Sequence, residues 1–421
     1  MTEPPPARGP SAPSIRRAIG YGLAVSLLVV ILGQLVGLAL FVAQGANGSY
    51  VPYLRIGAVY VELFHHVPVS LETPREAGGA PFSLDVGVAL MLVTGMAVLL
   101  LAAAGRRLGS AASGGATVTG VVTTAGAYAV LPGGLAFAAR GPVTLPTGIG
   151  LGTTALAVSV SVVGAFAAPF AIAAVAVVLG ALSSGAAESG DAAVGDVVAG
   201  GARAFTIVLG LSIVGLLVVA GVEPDFVRAY RAVILAPDSV KGRAVVAGHA
   251  ALLLPNQAVW VAVPAMGACD EAVANGRSEP VLCYWRFPTN VGLRVDDHGR
   301  VVPDGGNRPL PRWYLAFLFV PALGTVSGGA RASRRTASSR RRAVTGAAGG
   351  IVFAALIAIA IALARIDLRA TGGLLDGQSY RVTLGPELLR GTAVAAAWGV
   401  VGGAVGGLLA RRLGGADTTV D

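Results

Sequence analysis

Charge is the first thing this chain has little of. Asp, Glu, Lys and Arg make up 13% of its 421 residues, against about 25% in an ordinary soluble domain, so a water-facing globular surface is excluded for most of its length. Lysine is nearly missing: Lys241 is the sole example, and every other basic residue apart from four histidines is arginine. Four histidines and two cysteines leave little material for acid–base, thiol or zinc chemistry. No HExxH, GxSxG or Walker-type loop occurs, and no paired carboxylates sit within an apolar run. The expectation is a non-enzymatic protein with no cofactor.

What the chain does have is apolar length. It is 54% hydrophobic with a mean hydropathy of +0.73, and runs of about 20 apolar residues, each long enough to cross roughly 30 Å of hydrocarbon, recur throughout. The expected fold is all-α, a polytopic transmembrane helix bundle over residues 16–412. Residues 1–15, opening MTEPPPARGPSAPS with five prolines, are expected as a disordered cytoplasmic tail, and 413–421 as a second tail. The apolar run 18–43 is too long for a signal peptide and reads as a first span. Further spans are expected near 83–104, 115–139, 158–182, 201–222, 244–267, 312–330, 344–364 and 391–410. Residues 53–67, interrupted by Arg55, Glu62, His65 and His66, are either a costly tenth span or an interfacial helix.

The net charge of +9 and pI near 10.1 do not point to nucleic acid, because the arginines collect at span ends. Arg331, Arg334, Arg335, Arg340, Arg341 and Arg342 mark the loop 331–342 as cytoplasmic and are expected to meet anionic lipid headgroups. Placing Arg16/Arg17 and Arg411/Arg412 inside as well favours ten spans with 53–67 crossing, N- and C-termini cytoplasmic, in a bacterial cytoplasmic membrane. That count puts Arg106 and Arg107 outside. It also puts outside the segment 183–200, with Glu188, Asp191 and Asp196, and the loop 268–311. The loop holds Cys269 and Cys283, expected as a disulfide, and LRVDDHGRVVPDGG, expected as a small β-hairpin. A doubled or re-entrant pair at 151–182, broken at Pro169, would instead bring Arg106 and Arg107 inside.

Three local patterns stand out. LLLPNQAVWVAVP (252–264) breaks a span with Pro255, Asn256 and Gln257, followed by Trp260; the helix is expected to bend near Pro255 with Asn256 turned into the bundle. Gly399, Gly403 and Gly407 repeat every four residues in the last span, as do Gly402 and Gly406, Gly346 and Gly350, and Gly33 and Gly37. Such rows let backbones approach closely, within the bundle or, alternatively, between two copies. Glu62, His65 and His66, at i, i+3 and i+4, share a helical face. That spacing suits a metal, but no third and fourth ligand is in view, and polar residues before Pro68 suit a segment end; Arg55, two turns away, is an expected partner for Glu62.

The pair LRIGAVYVELFHHVPVSL and FSLDVGVALMLVTGMAVLLLAAAGRR, with LLLPNQAVWVAVPAMG further on, resembles a family of actinobacterial multi-pass membrane proteins that includes the mycobacterial cell-division membrane protein PerM. The likeness is carried by a helix ending in a His-containing turn, a span ending in basic residues, and the core Leu254, Pro255, Asn256, Val259 and Trp260. It runs from the first span to about residue 267. It departs at Pro264, Ala265, Met266, Gly267 and Cys269, where relatives have a Gly-Pro-Gly-Phe-like stretch. The resemblance implies a non-enzymatic role in envelope maintenance or division, with envelope or division membrane proteins as partners. The alternative from the residues themselves is a small-solute transporter or channel with its site at the broken helix around Pro255 and Asn256.

Overall fold

The computed structural model describes residues 12–43, 49–73, 82–109, 114–144, 155–185, 192–222, 247–274, 277–283, 287–288, 293–295, 301–303, 307–308, 312–372 and 379–414. Of the expected tails 1–15 and 413–421, residues 1–11 and 415–421 lie outside them, as do Lys241, Glu188 and Asp191, whereas 12–15 and 413–414 belong to helices. Ten helices carry labels here: α1 (Ala12–Ala43), α2 (Val51–Phe64), α3 (Met91–Gly109), α4 (Gly114–Ala139), α5 (Val162–Gly185), α6 (Ala192–Val222), α7 (Leu254–Ala265), α8 (Phe319–Ala332), α9 (Ser339–Ala364) and α10 (Leu388–Gly414). A 3-10 helix, Arg312–Leu318, leads into α8. Eight helices among the described residues are long and apolar enough to cross a membrane, which makes this a multi-pass membrane protein. The two that separate eight from the expected ten are α2 and α7. At 14 and 12 residues they measure only about 21 and 18 Å at 1.5 Å per residue.

The all-α expectation covers the membrane helices and misses what joins them. Hairpins connect the helix ends and merge into an eight-stranded antiparallel sheet of order β3-β4-β1-β2-β11-β12-β5-β6. Its strands are β1 (Val69–Glu72), β2 (Phe82–Gly87), β3 (Gly141–Thr144), β4 (Ala155–Val160), β5 (Asp270–Ala274), β6 (Arg277–Leu282), β11 (Ile366–Gly372) and β12 (Ser379–Pro386). The segment after β6 adds two small pairs, β7 (Phe287–Pro288) with β10 (Asn307–Arg308) and β8 (Leu293–Val295) with β9 (Val301–Pro303). The Asp-Asp-His-Gly turn between β8 and β9 lies outside the described residues. Strands such as β2 and β4 abut helices with little polar sequence between, so a hydropathy window absorbs them into the following span.

The sheet order contains the same pattern twice, and so does the whole chain. β3-β4-β1-β2 corresponds to β11-β12-β5-β6. Registers agree: Val69 pairs with Val160 and Glu72 with Ala157 in the first half, Asp270 with Pro386 and Val273 with Thr383 in the second. Gly141 opposite Val158 matches Ile366 opposite Leu384. α2 and α7 end in the same turn: His66 (φ 60°) and Gly267 (φ 99°) are left-handed, and the bonds Val67 N–H to Glu62 O (3.1 Å) and Ala268 N–H to Val263 O (3.2 Å) close both turns. A side chain on Gly105 would strike Val177 O and one on Gly180 would strike Ala102 O; their counterparts are Gly329 against Gly403 O and Gly406 against Val326 O. Gly22 against Thr124 and Ala127 likewise matches Gly201 against Gly349 and Val352. The protein is therefore a tandem repeat, α1 to α5 and α6 to α10, each half with four helices of membrane-spanning length, α8 reaching it with its 3-10 lead as Tyr314–Ala332, one short helix and four strands of the large sheet. The spacing between equivalent residues is uneven, and the segment 283–311 interrupts the second half, which hides the repeat from a fixed-period scan.

This topology settles which chain ends lie together. The sheet gathers the ends of α2, α4, α7 and α9 and the starts of α3, α5 and α10 at one end of the bundle. The α3–α4, α5–α6 and α8–α9 connections lie at the other. Asp196, near the start of α6, accepts from Arg331 (2.8 Å) and lies 3.7 Å from Arg335. The expectation that 183–200 and the arginine loop face opposite sides is thus wrong, as is the separation of Arg106 and Arg107 from the other basic clusters. Both errors came from counting α2 and α7 as full crossings.

The glycine rows are used within the molecule. Gly399, Gly403 and Gly407 of α10 meet Gly350, Gly346 and Arg342 of α9 backbone to backbone, while Gly402 and Gly406 meet Thr325 and Val326 of α8. Gly33 and Gly37 of α1 receive Gly57 and Tyr53 of α2.

Candidate functional site: a polar junction inside the bundle

Beneath the sheet the end of α2, the start of α3 and the start of α7 converge. The helical run 247–252 is interrupted at Leu253, and α7 begins with Pro255 in its first turn, where a missing N–H leaves no bond unmade. The expected bend at Pro255 is thus a break two residues earlier. Asn256 is buried; its Nδ2 donates to Ala89 O (2.6 Å) and its Oδ1 accepts from Met91 N–H (3.1 Å), the first residue of α3. One side chain so satisfies an otherwise orphaned helix amide and a strand-end carbonyl, and ties the second repeat to the first. Gln257 is half-buried, and Trp260 Nε1 donates to Ala364 O at the end of α9 (3.0 Å). Trp398 Nε1 makes a similar bond to Met266 O (2.9 Å).

α3 is fixed against α2 by Leu90 N–H donating to Leu63 O (3.2 Å) and by the Thr94 hydroxyl donating to Phe64 O. On α2 itself, His65 is buried with Nδ1 2.7 Å from Val61 O and Nε2 2.8 Å from the Tyr128 hydroxyl of α4. A carbonyl only accepts, so Nδ1 carries the proton and, in the neutral ring, Nε2 accepts from Tyr128. Tyr60 Oη lies 2.5 Å from His249 Nε2. Glu62 is fully buried and neither carboxyl oxygen has a hydrogen-bond partner among the described residues. The expected Arg55–Glu62 pair does not form: Arg55 turns to Pro142 O (2.7 Å). Nor do His65 and His66 face a common ligand, because the left-handed residue His66 turns the chain. Among the described residues no group of three His, Cys, Asp or Glu is placed to hold a metal.

At the sheet, Cys269 and Cys283 form a disulfide with Cα atoms 4.7 Å apart. Reducing it is expected to lower stability by about 3 kcal/mol, from the chain entropy of a 15-residue loop. Unfolding curves with and without reductant check this, and coincident curves would refute it. Next to it Asp270 is buried with both carboxyl oxygens unpaired among the described residues, and burial pushes its pKa well above the usual carboxylate range. A folded-state pKa above the unfolded one gives stability that is present below about pH 3.9 and is lost as pH rises through the folded value. Asp270→Asn is therefore expected to flatten the decline of melting temperature with rising pH. An unchanged pH profile would count against the assignment.

No family model, curated protein or solved structure matches the chain. The site rests on its own geometry. Sequence reasoning located Asn256, Trp260, Glu62, His65 and both cysteines, but not Tyr128, Thr94 or His249, whose roles depend on contacts across the fold. A tyrosine and a threonine within otherwise apolar spans were the available signal.

Proposed function

We propose that the chain is a non-enzymatic scaffold of the bacterial cytoplasmic membrane with a role in envelope maintenance or division. The basic clusters and both termini face the cytoplasm and the sheet faces outward. The observation that carries this reading is the sheet itself, a continuous eight-stranded platform on the end of the bundle opposite Arg106, Arg107 and the 331–342 run. A disulfide at its base suits an oxidising compartment. Exposed Arg334, Arg340 and Arg341 are the lipid contacts, while Arg331 and Arg335 are paired with Asp196 and Arg342 is buried at 5% exposure. The broken helix is a joint in this reading, because both amide atoms of Asn256 are bound by backbone rather than offered to a solute.

Proximity labelling from a tag beside the sheet, in the native host, tests the proposal. Enrichment of envelope or division proteins over an unrelated multi-pass control is expected. Equal labelling, with solute flux through reconstituted vesicles, would replace the scaffold by the transporter.

A further inference from the structure

The two repeats allow each buried polar group to be compared with its counterpart. Through the shared turn that ends α2 and α7, Glu62 corresponds to Val263 and His65 to Met266. Through the glycine contacts of α1 with α4 and α6 with α9, Tyr128 corresponds to Phe353. Val263, Met266 and Phe353 sit together in one apolar cluster, all buried. The fold thus fills this place with three hydrophobic side chains in its second half. In its first half it puts an acid, an imidazole and a phenol there, among Val25, Val29, Val61, Phe64, Leu90 and Leu101. Architecture does not require these groups.

Two of the three satisfy each other, and Glu62 does not join them by a hydrogen bond. A fully buried carboxyl with both oxygens unpaired is unfavourable in either protonation state and strongly so as an anion, and ionisable groups in such places are retained for what they bind. Among the described residues the surroundings offer no fixed counter-charge. α1 and α3 carry no titratable side chain in the stretches packed on α2, Ser26–Gly37 and Met91–Leu101. α4 contributes Tyr128, β3 contributes backbone to Arg55, and β1 brings only Glu72 at its far end. On α2, Tyr60 is engaged with His249, and His66, one residue beyond His65, is influenced by Asp367 of β11.

We propose that Glu62, with the His65–Tyr128 pair beside it, is an intramembrane proton-binding site that is loaded and unloaded in the working protein. The step is carboxylate plus proton giving carboxylic acid; no bond other than O–H forms and nothing is oxidised. The hydroxyl–imidazole pair supplies a second acceptor, the Nε2 lone pair, released when Tyr128 turns away. This function is separate from the scaffold role, which would survive its loss.

The test uses as its parent the full chain carrying Asp270→Asn, which removes the other buried unpaired carboxyl among the described residues, in lipid nanodiscs read by infrared difference spectroscopy as pH is changed. A protonated-carboxyl band that rises and falls reversibly in the parent and is missing in Glu62→Gln is expected. A band in the parent that never responds to pH, or responds to added sodium at fixed pH instead, overturns the proposal. The second arm replaces the trio by its own counterparts, Glu62→Val, His65→Met and Tyr128→Phe together. This variant is expected to fold with a melting temperature equal to or above the parent's while the pH-dependent band disappears. Failure of the triple variant to fold would make the trio structural and overturn the proposal equally.

Discussion

Gly350→Val is expected to prevent accumulation of folded protein. The added side chain would fall on the backbone of Gly399, where α9 and α10 touch main chain to main chain, and no rotamer change can relieve that overlap. Overpacking typically costs about 1–3 kcal/mol where side chains can yield, so a backbone clash should exceed about 3 kcal/mol. Gly126→Ala is the control: nothing lies within 4 Å of the added atom, and the helix should gain up to about 1 kcal/mol. Fluorescence-detected size exclusion after heating reads both. Equal melting temperatures for Gly350→Val and parent would show that the helices do not meet there.

Asn256→Leu should lower stability by about 2 kcal/mol, because it strands the amide of Met91 and the carbonyl of Ala89 away from water. The halves stay joined through the pairing of β2 with β11, so the loss should appear as a lower melting temperature of the intact protein. A parental melting temperature would refute the joint.

The helices were legible because twenty apolar residues have few other fates. The disulfide and the inward turn of Asn256 were legible from local chemistry: two cysteines in one loop, and an amide too polar for lipid. What stayed hidden was relational. α2 reads as a span until its length is set by the turn at His66, and β2 and β4 read as span ends until they pair with strands more than sixty residues away or from the other half. The placement of Arg106 and Arg107 failed for that reason alone. Recognition of the repeat required contacts, since Gly105 and Gly329 are alike only in what each touches.

The central claim is a tandem pair of units with the α3–α4 and α8–α9 connections, and the arginines beside them, at one end and the sheet at the other. Its most direct measurement is accessibility in intact cells of a short tag inserted after Gly109, between α3 and α4, with a tag after Ser333 as reference. The architecture requires the two tags to behave alike, and the orientation proposed above predicts that both are protected from impermeant reagents until the membrane is permeabilised. Labelling of the Gly109 tag from outside, with the Ser333 tag still protected, would put the two connections on opposite faces and contradict the repeat.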